Sequence, residues 1–392
     1  MQTKTALIVG AGVGGMAAAW WLLKKGWHPL VVEKAPELRT DGYMLGLSGP
    51  GYTIAGEMGL MPALRARHRP IHENVYFGRD GRELWRAKYQ ELLGHQDWIT
   101  LSRTDLVEVL HDALPDDLDL RFGTTVTGIE EDEAGVTATL SDGSNCRADL
   151  LIAADGMHST IRRMAFGEDS DFIRPLGYRF AAFQMQDDLA LGHDFLSFAE
   201  PGRMTEIYSL SDGRLATLYA WKTDDQSRVP ATSRRDCLRA AYTGAHETAL
   251  HYIDALPSDD ALFFDNLELV EMPSWSTGRI VLLGDAAHCL TLISGQGAGM
   301  AITSAKVLAD ELSKNTVEDA LTGHEQRLRP AIIQLQERSR KIAPLFIPST
   351  PRAFAIRNFV MRHAPKRLLG WYLARSIRTE ALSAAAALEP TA

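Results

Sequence analysis

Residues 5–25, TALIVGAGVGGMAAAWWLLKK, contain the pattern that decides the fold. A short apolar run ends in a cluster of glycines and passes directly into Met16 to Lys25, which is apolar and rich in helix-forming residues. This order predicts a β-strand, a tight turn and an α-helix. Lys24 and Lys25 complement the negative end of that helix, and Gly26 supplies a left-handed residue beyond it. Leu30 to Glu33 is expected to form the next strand.

The glycine cluster, GAGVGG at residues 10–15, matches the G-x-G-x-x-G pattern of dinucleotide-binding sites. Gly10 permits the tight turn, Gly12 lets the backbone approach a pyrophosphate, and Gly15 allows the helix to pack closely on the strand. Glu33 follows near the separation of roughly 20 residues expected for the acid that accepts hydrogen bonds from the ribose. Together these features predict a dinucleotide site.

Two later motifs repeat the arrangement of a strand followed by a polar turn. In LLIAADGMHSTIR, residues 150–162, the strand ends in Asp155-Gly156, and nucleotide sites lie at the carboxyl ends of parallel strands. In residues 278–299 a strand ends in Gly284-Asp285, and a second glycine-rich turn, GQGAG, precedes the helical run Met300 to Leu312. Asp285 is suited to accept hydrogen bonds from ribityl hydroxyls, and the helix start at Gly297 can stabilise negative charge on a reduced flavin.

The three motifs, in this order, resemble those of the class A flavoprotein monooxygenases, the para-hydroxybenzoate hydroxylase superfamily. The resemblance covers the chain from its start through the helical run after the third motif, and the layout is most similar to the tetracycline-inactivating branch. It implies that Arg39 and Arg103 contact FAD, with a surface salt bridge as the alternative for each. The residues expected at the FAD are Gly10, Gly12, Gly14, Gly15, Glu33, Lys34, Arg39, Arg103, Val126, Asp155, Gly284, Asp285, Gly295, Gln296, Gly297, Ala298 and Gly299.

The chain also departs from the family pattern at three positions. Leu292 stands where the family often has proline, and Gly299 and Ser304 stand where it often has Asn and Asp. These departures predict a differently shaped loop at the flavin ring.

The resemblance implies an NAD(P)H-dependent monooxygenase that forms a C4a-hydroperoxyflavin with O2 and hydroxylates an aromatic or polycyclic small molecule. A second complete G-x-G-x-x-G unit is not found, so NAD(P)H is expected to dock transiently. No catalytic acid or base is assigned. The alternatives are a flavin-dependent reductase, a halogenase, or an FAD-binding ligand sensor without turnover. Trp275-Ser276-Thr277 lacks the Trp-x-Trp-x-Ile-Pro signature, which weighs against a halogenase.

The chain length favours an α/β fold with an insertion. The expected organisation is a Rossmann-like FAD-binding domain at 1–171 and 270–318, an inserted antiparallel β-sheet domain for the substrate at 172–269, and a C-terminal helical segment at 319–392. Aromatic residues of the inserted sheet are candidates for the pocket, although period-two alternation leaves open which half of them face the flavin. The residues expected at the substrate are Tyr178, Phe183, Tyr208, Trp221 and Leu292.

Composition limits the partners and the location. The formal charge of −9 disfavours nucleic acid as the main partner. Three cysteines without Cys-x-x-Cys spacing, and histidines without ligand spacing, support neither a disulfide framework nor a metal site, so we expect a reducing cytoplasm. Residues 340–378 carry nine Arg or Lys and no acid, which indicates a solvated helix face, with membrane-surface contact as the alternative. The oligomeric state is left open.

Overall fold

The structure is a computed structural model that describes residues 4–38, 43–93, 97–186, 189–191, 194–210, 213–256, 258–259 and 262–365. Its strands are β1 Thr5–Val9, β2 His28–Glu33, β3 Met44–Ser48, β4 Glu73–Phe77, β5 Glu83–Lys88, β6 Trp98–Ser102, β7 Asp119–Phe122, β8 Val126–Asp132, β9 Gly135–Leu140, β10 Asn145–Ala148, β11 Leu150–Ala153, β12 Ile173–Gln186, β13 Phe195–Glu200, β14 Arg203–Ser209, β15 Arg214–Lys222, β16 Phe263–Val270, β17 Ser276–Thr277 and β18 Ile280–Leu282.

The helices alternate with these strands in the first and third parts of the chain. They are α1 Val13–Lys24, α2 Gly49–Glu57, α3 Met61–Ala66, α4 Tyr89–Leu93, α5 Arg103–Asp112, α6 Thr160–Ala165, α7 Asp169–Phe172, α8 Arg234–Ala241, α9 Glu247–Asp254, α10 Asp285–His288, α11 Gly297–Leu312, α12 Val317–Phe346 and α13 Pro351–His363, with 3-10 turns at Ala231–Ser233 and Leu292–Ser294.

The opening stretch forms the strand, turn and helix that its pattern predicts. Gly10 has a φ of +105°, a conformation that favours glycine, and a side chain there would approach the Ala154 carbonyl oxygen to 2.5 Å. A side chain on Gly15 would overlap the Gly10 carbonyl oxygen. Both glycines are therefore required for the close contact between β1, α1 and β11.

A six-stranded sheet, ordered β17-β18-β11-β1-β2-β7, forms the centre of the nucleotide-binding part. β18, β11, β1, β2 and β7 run parallel to one another. The two faces of β1 enter different cores, as alternation requires. Ala6 and Ile8 pack with α1 and α11, whereas Leu7 and Val9 pack with the three-stranded sheet β10-β9-β8. The predicted α/β, Rossmann-like class is confirmed.

A seven-stranded sheet, ordered β16-β12-β15-β14-β13-β4-β5, is the second large sheet of the protein. Its pairings are antiparallel except for that of β13 with β4. Five of its strands come from the predicted insertion, and β4 and β5 come from residues 73–88, within the range predicted for the first FAD-binding part. The division into domains at residues 171, 269 and 318 stays a prediction.

The C-terminal helices include one long helix with two internal prolines. α12 runs 30 residues without a break through Pro330 and Pro344. An internal proline costs about 3 kcal/mol, and the buried stripe of α12, which includes Leu328 and Leu335, offsets this cost by packing against the central core. The helix ends only before Pro348.

Candidate functional site

The turn between β1 and α1 leaves room for a ligand at one glycine. A side chain on Gly12 would have no atom within 4 Å, whereas a side chain on Gly14 would approach the Leu283 side chain to 3.0 Å. Gly12 is also the N-cap of α1, and no side chain caps that helix. The first N–H groups of α1 therefore point into open space, which suits the negative charge of a diphosphate.

Glu33 lies at the carboxyl end of β2 and holds the same turn. One carboxylate oxygen accepts a hydrogen bond from the Ala11 N–H and the other from the Ala35 N–H, each at 2.9 Å. A carboxylate has about four acceptor positions, so acceptor capacity is left for ribose hydroxyls. The neighbouring Lys34 is exposed. The Val126 side chain is buried in the core on the other face of the sheet, so only its backbone could face a nucleotide.

Asp155 caps a helix and keeps one oxygen unused. Its Oδ2 accepts hydrogen bonds from the N–H groups of Thr160 at 2.7 Å and Ile161 at 3.2 Å. Its Oδ1 is buried and has no hydrogen-bond partner among the described residues. The Asp155 Cα lies beside Gly10. An unsatisfied buried acceptor at this turn fits a ligand that donates a hydrogen bond.

The rest of the second motif has a structural role. Arg162 is completely buried, and its guanidinium donates to the carbonyl of Ala286 at 3.0 Å and to that of Met157 at 2.6 Å. Ser159 accepts a hydrogen bond from the Arg162 N–H at 2.9 Å. Arg162 thus joins the Asp-Gly turn to the Gly-Asp turn, which explains the spacing of the motif without any contact with a ligand.

Asp285, Arg103 and Tyr43 converge from three elements. Gly284 turns the chain with a φ of +62°, so that Asp285 begins α10 with its side chain open to solvent. Desolvation raises the pKa of its carboxyl group, while the charge of Arg103 acts in the opposite direction. The Arg103 N–H donates to the Tyr43 carbonyl at 3.1 Å, and burial raises the pKa of the Tyr43 hydroxyl.

The start of α11 completes this group. The helix begins at Gly297 with no side-chain cap, and the Gln296 amide donates to the Ser48 hydroxyl at 3.1 Å. A side chain on Gly51 would overlap the Cα of Gly299, so α2 and α11 cross at backbone contact. The crossing requires glycine at 51 rather than at 299, because a side chain on Gly299, where the family pattern often has Asn, would meet only ordinary contacts, the nearest with the Gly51 Cα at 3.6 Å. The uncapped N–H groups of Gly297, Ala298 and Gly299 offer a positive helix end to a ligand.

The other two departures from the family pattern, Ser304 and Leu292, each make specific contacts. Ser304 is buried and shares a hydrogen bond of 2.8 Å with Nε2 of His324. Leu292 begins the 3-10 turn that ends at Gly295, and it packs against the sheet. The preceding Thr291 has a φ of +63°, which is unusual for a residue other than glycine. Such strain is found most often at functional loops.

A group of aromatic rings lies next to the site formed by Asp285, Arg103 and Tyr43. The ring of Tyr43 lies 6.3 Å from that of Phe180 and 6.0 Å from that of Phe263, and the last two are 5.5 Å apart. Tyr43 and Phe263 were missed by the sequence reasoning, which considered only the strands with clear alternation. Phe180 shares the face of Tyr178 because the two residues are two positions apart on β12. We call Tyr43, Phe180 and Phe263 the aromatic trio.

The predicted pocket residues divide between the two faces of the sheet. Tyr178 packs on the face of the aromatic trio, and Tyr208 accepts a hydrogen bond from the Met44 N–H at 2.7 Å. The predicted pocket positions of Phe183 and Trp221 are wrong, because both side chains lie on the opposite face, where α8 and α9 cover them. Odd-numbered residues of β12, such as Phe183, project from the face opposite to the aromatic trio, so Phe183 cannot line a pocket beside the trio.

His288 and Cys289 do not form a nucleophile and base pair. His288 packs against the ring of Trp275, which also contacts His324, and desolvation lowers the pKa of His288 to about 4. His288 Nε2 has no hydrogen-bond partner among the described residues. Burial raises the pKa of the Cys289 thiol well above its ordinary value. Both residues therefore belong to the packed interior of the protein.

Arg39 lies outside the described residues. Within those residues, no group of three or more His, Cys, Asp or Glu is placed to hold a metal ion. No described helix combines the length and apolar character needed to cross a bilayer.

Comparison with known proteins identifies the family of the chain. The chain matches the family described as an FAD binding domain over residues 2–328. A flavin-dependent monooxygenase of Legionella longbeachae serogroup 1 (strain NSW150) is 30% identical, over 78% of this chain and 79% of the relative. The crystal structure of the tetracycline destructase Tet(51) is similar with a TM-score of 0.85 and 25% identity, covering 99% of this chain and 100% of that one. Klebsiella pneumoniae HpxO, solved with FAD and uric acid, has a TM-score of 0.80 at 24% identity over 98% and 97% of the two chains, which concerns the fold.

Proposed function

Because the chain belongs to the FAD-binding-domain family of flavin-dependent monooxygenases, we propose that it uses NAD(P)H and O2 to hydroxylate an aromatic or polycyclic small molecule. One oxygen atom enters the substrate and the other leaves as water, with NAD(P)H supplying the two electrons. The observation that carries the proposal is the aromatic trio, whose member Tyr43 interacts electrostatically with Arg103 and with Asp285 of the third motif.

FAD fits the cleft on three structural grounds. Gly12 leaves space beside the uncapped start of α1 for the diphosphate. Glu33 retains acceptor capacity for the ribose, and Asp285 is open toward the same cleft for the ribityl chain. The cofactor, when bound, supplies the redox chemistry and the reaction with O2. Arg103 and the N-terminus of α11 stabilise negative charge near the ring.

The protein's own contribution to oxygen transfer is to exclude water and to orient the substrate. Rings of the aromatic trio can pack against a planar substrate by offset or edge contacts. A closed apolar surface prevents the loss of reducing equivalents as hydrogen peroxide. NAD(P)H docks transiently, because the single G-x-G-x-x-G turn is used by FAD.

Labelled dioxygen tests the proposal. With 18O2, the product of a substrate that stimulates NADPH oxidation is expected to gain one labelled atom, and substrate is expected to reduce the fraction of NADPH lost as peroxide. Product without label, or turnover that continues without air, would favour a reductase on the same cradle. Dependence of product formation on chloride or bromide would favour a halogenase, and ligand binding that never changes NADPH oxidation would favour a sensor.

A further inference from the structure

Glu206 lies in the middle of β14, on the sheet face that carries the aromatic trio. Its neighbours two positions away, Met204 and Tyr208, pack on that face, whereas Ile207 packs on the opposite one. Across the sheet, Glu206 pairs with Ser197 of β13 and with Leu218 of β15. Alternation therefore directs the carboxylate toward the substrate side of the sheet.

Tyrosines from three elements surround this carboxylate. Tyr76 of β4, Tyr89 of α4 and Tyr208 each interact electrostatically with Glu206. Two of these rings are held by stacking, with Tyr76 3.7 Å from Trp85 and Tyr208 4.5 Å from Phe195. The carboxylate thus lies among fixed aromatic rings.

Tyr208 connects this group to the flavin cleft. Its hydroxyl accepts the hydrogen bond from Met44 at the start of β3, and its electrostatic partners include both Tyr43 and Glu206. On the sheet, Glu206 lies two residues along β14 from Met204, which is aligned through Ala220 of β15 with Phe180 of the aromatic trio. A substrate whose ring contacts the trio could reach the carboxylate with a short substituent.

Glu206 is half-buried. Its carboxylate makes no hydrogen bond or ion pair with the described residues. Other carboxylates of this sheet are paired, as Glu200 is with Arg203 at 2.9 Å and Asp265 with His158 at 2.9 Å. Arg357, a partly buried cation that also interacts with Tyr76, packs over the ring of Trp85 instead. Desolvation raises the pKa of Glu206 to about 7. An unpaired carboxylate in such a place destabilises the fold, so it is best explained by a ligand that compensates its charge.

We propose that Glu206 binds the protonated amine of an aromatic substrate, and that it thereby selects cationic over neutral and anionic ring compounds. The carboxylate supplies a charge-assisted hydrogen bond, and the surrounding tyrosine rings attract a cation through their faces. The inference rests on the proposed function, because it names the substrate class of the same site.

Three probes with the same phenol ring test this selection on the FAD-loaded protein. Tyramine carries a cation, 4-ethylphenol is neutral, and 3-(4-hydroxyphenyl)propanoate carries an anion. Binding is measured from the change in the flavin absorption spectrum, without NADPH. Tyramine is expected to bind about ten- to a hundredfold more tightly than the other two, and Glu206→Gln is expected to remove this preference.

Two variants control the measurement. Glu206→Asp keeps the charge and is expected to retain part of the preference, while Glu247→Gln removes an exposed charge from α9, on the far side of the sheet, and is expected to retain all of it. FAD content reports whether each variant is folded. A wild-type protein that binds no probe, that binds 4-ethylphenol as tightly as tyramine, or whose preference survives Glu206→Gln would overturn the inference. None of these outcomes depends on 18O incorporation, so the proposed function is tested separately.

Discussion

Gly12→Val is expected to remove FAD without unfolding the protein. Gly12 has φ −79° and ψ −171°, a conformation open to valine, and its side chain would meet no protein atom within 4 Å. The expected cost to the fold is the loss of a favourable N-cap, which lowers the free energy of unfolding by about 1 kcal/mol. The valine would, however, occupy the space proposed for the diphosphate.

The expected loss of FAD affinity in Gly12→Val is much larger than its loss of stability. Hydrogen bonds to a charged group contribute about 1.5 to 3 kcal/mol each, so the loss of two of them weakens FAD binding by about 3 to 6 kcal/mol, or roughly a hundred- to ten-thousandfold. FAD per purified chain and titration of the apoprotein with FAD measure this directly. Unfolding is compared between apoproteins, because bound FAD itself stabilises the fold.

Gly128→Val is the matched control. It places the same side chain in β8, where the new Cβ would lie 3.6 Å from Thr139, an ordinary contact. Full FAD content is expected in this variant. The reasoning is refuted if Gly12→Val binds FAD within tenfold of the parent protein, or if it loses FAD only because its apoprotein is unfolded.

Three further predictions address other parts of the molecule. Asp285→Ala is expected to weaken FAD retention by about 1 to 3 kcal/mol, and unchanged retention in equilibrium dialysis would assign Asp285 a structural role. Gly51→Ala is expected to lower the melting temperature, because its side chain would overlap the Cα of Gly299, and an unchanged thermal scan would contradict this crossing of α2 and α11. The pKa values of His288 and His324 fall from 6.5 to about 4 and about 3 in the folded protein, so the unfolded chain binds more protons below pH 6.5. Above pH 6.5 the imidazoles are neutral in both the folded and the unfolded chain, and the free energy of unfolding does not depend on them. As the pH drops toward 4, the free energy of unfolding falls, by up to about 3 kcal/mol for His288. Denaturant titrations should show a shallower fall in His288→Phe, and equal slopes would contradict the burial of a neutral imidazole.

Local patterns were sufficient for the fold around the proposed cofactor site. The glycines of residues 10–15 are constrained by backbone contacts within one strand, turn and helix, and Glu33 and Asp285 each follow a strand in the same parallel sheet. In such a sheet the carboxyl ends of strands share one edge. The order of the motifs therefore predicts both the α/β class and a common site for one dinucleotide.

The substrate side depended on contacts between distant residues. Phe183 and Trp221 have the composition expected of a pocket, yet α8 and α9 cover their face of the sheet. Conversely, Tyr43 and Glu206 belong to no motif, and the contact of β3 with Tyr208 of β14 is what brings Tyr43 to the sheet face that carries Glu206. A strand pattern repeats every two residues and is equally compatible with either face toward the core. The packing of helices on one face, and of the flavin-binding part on the other, decides which residues a substrate can reach.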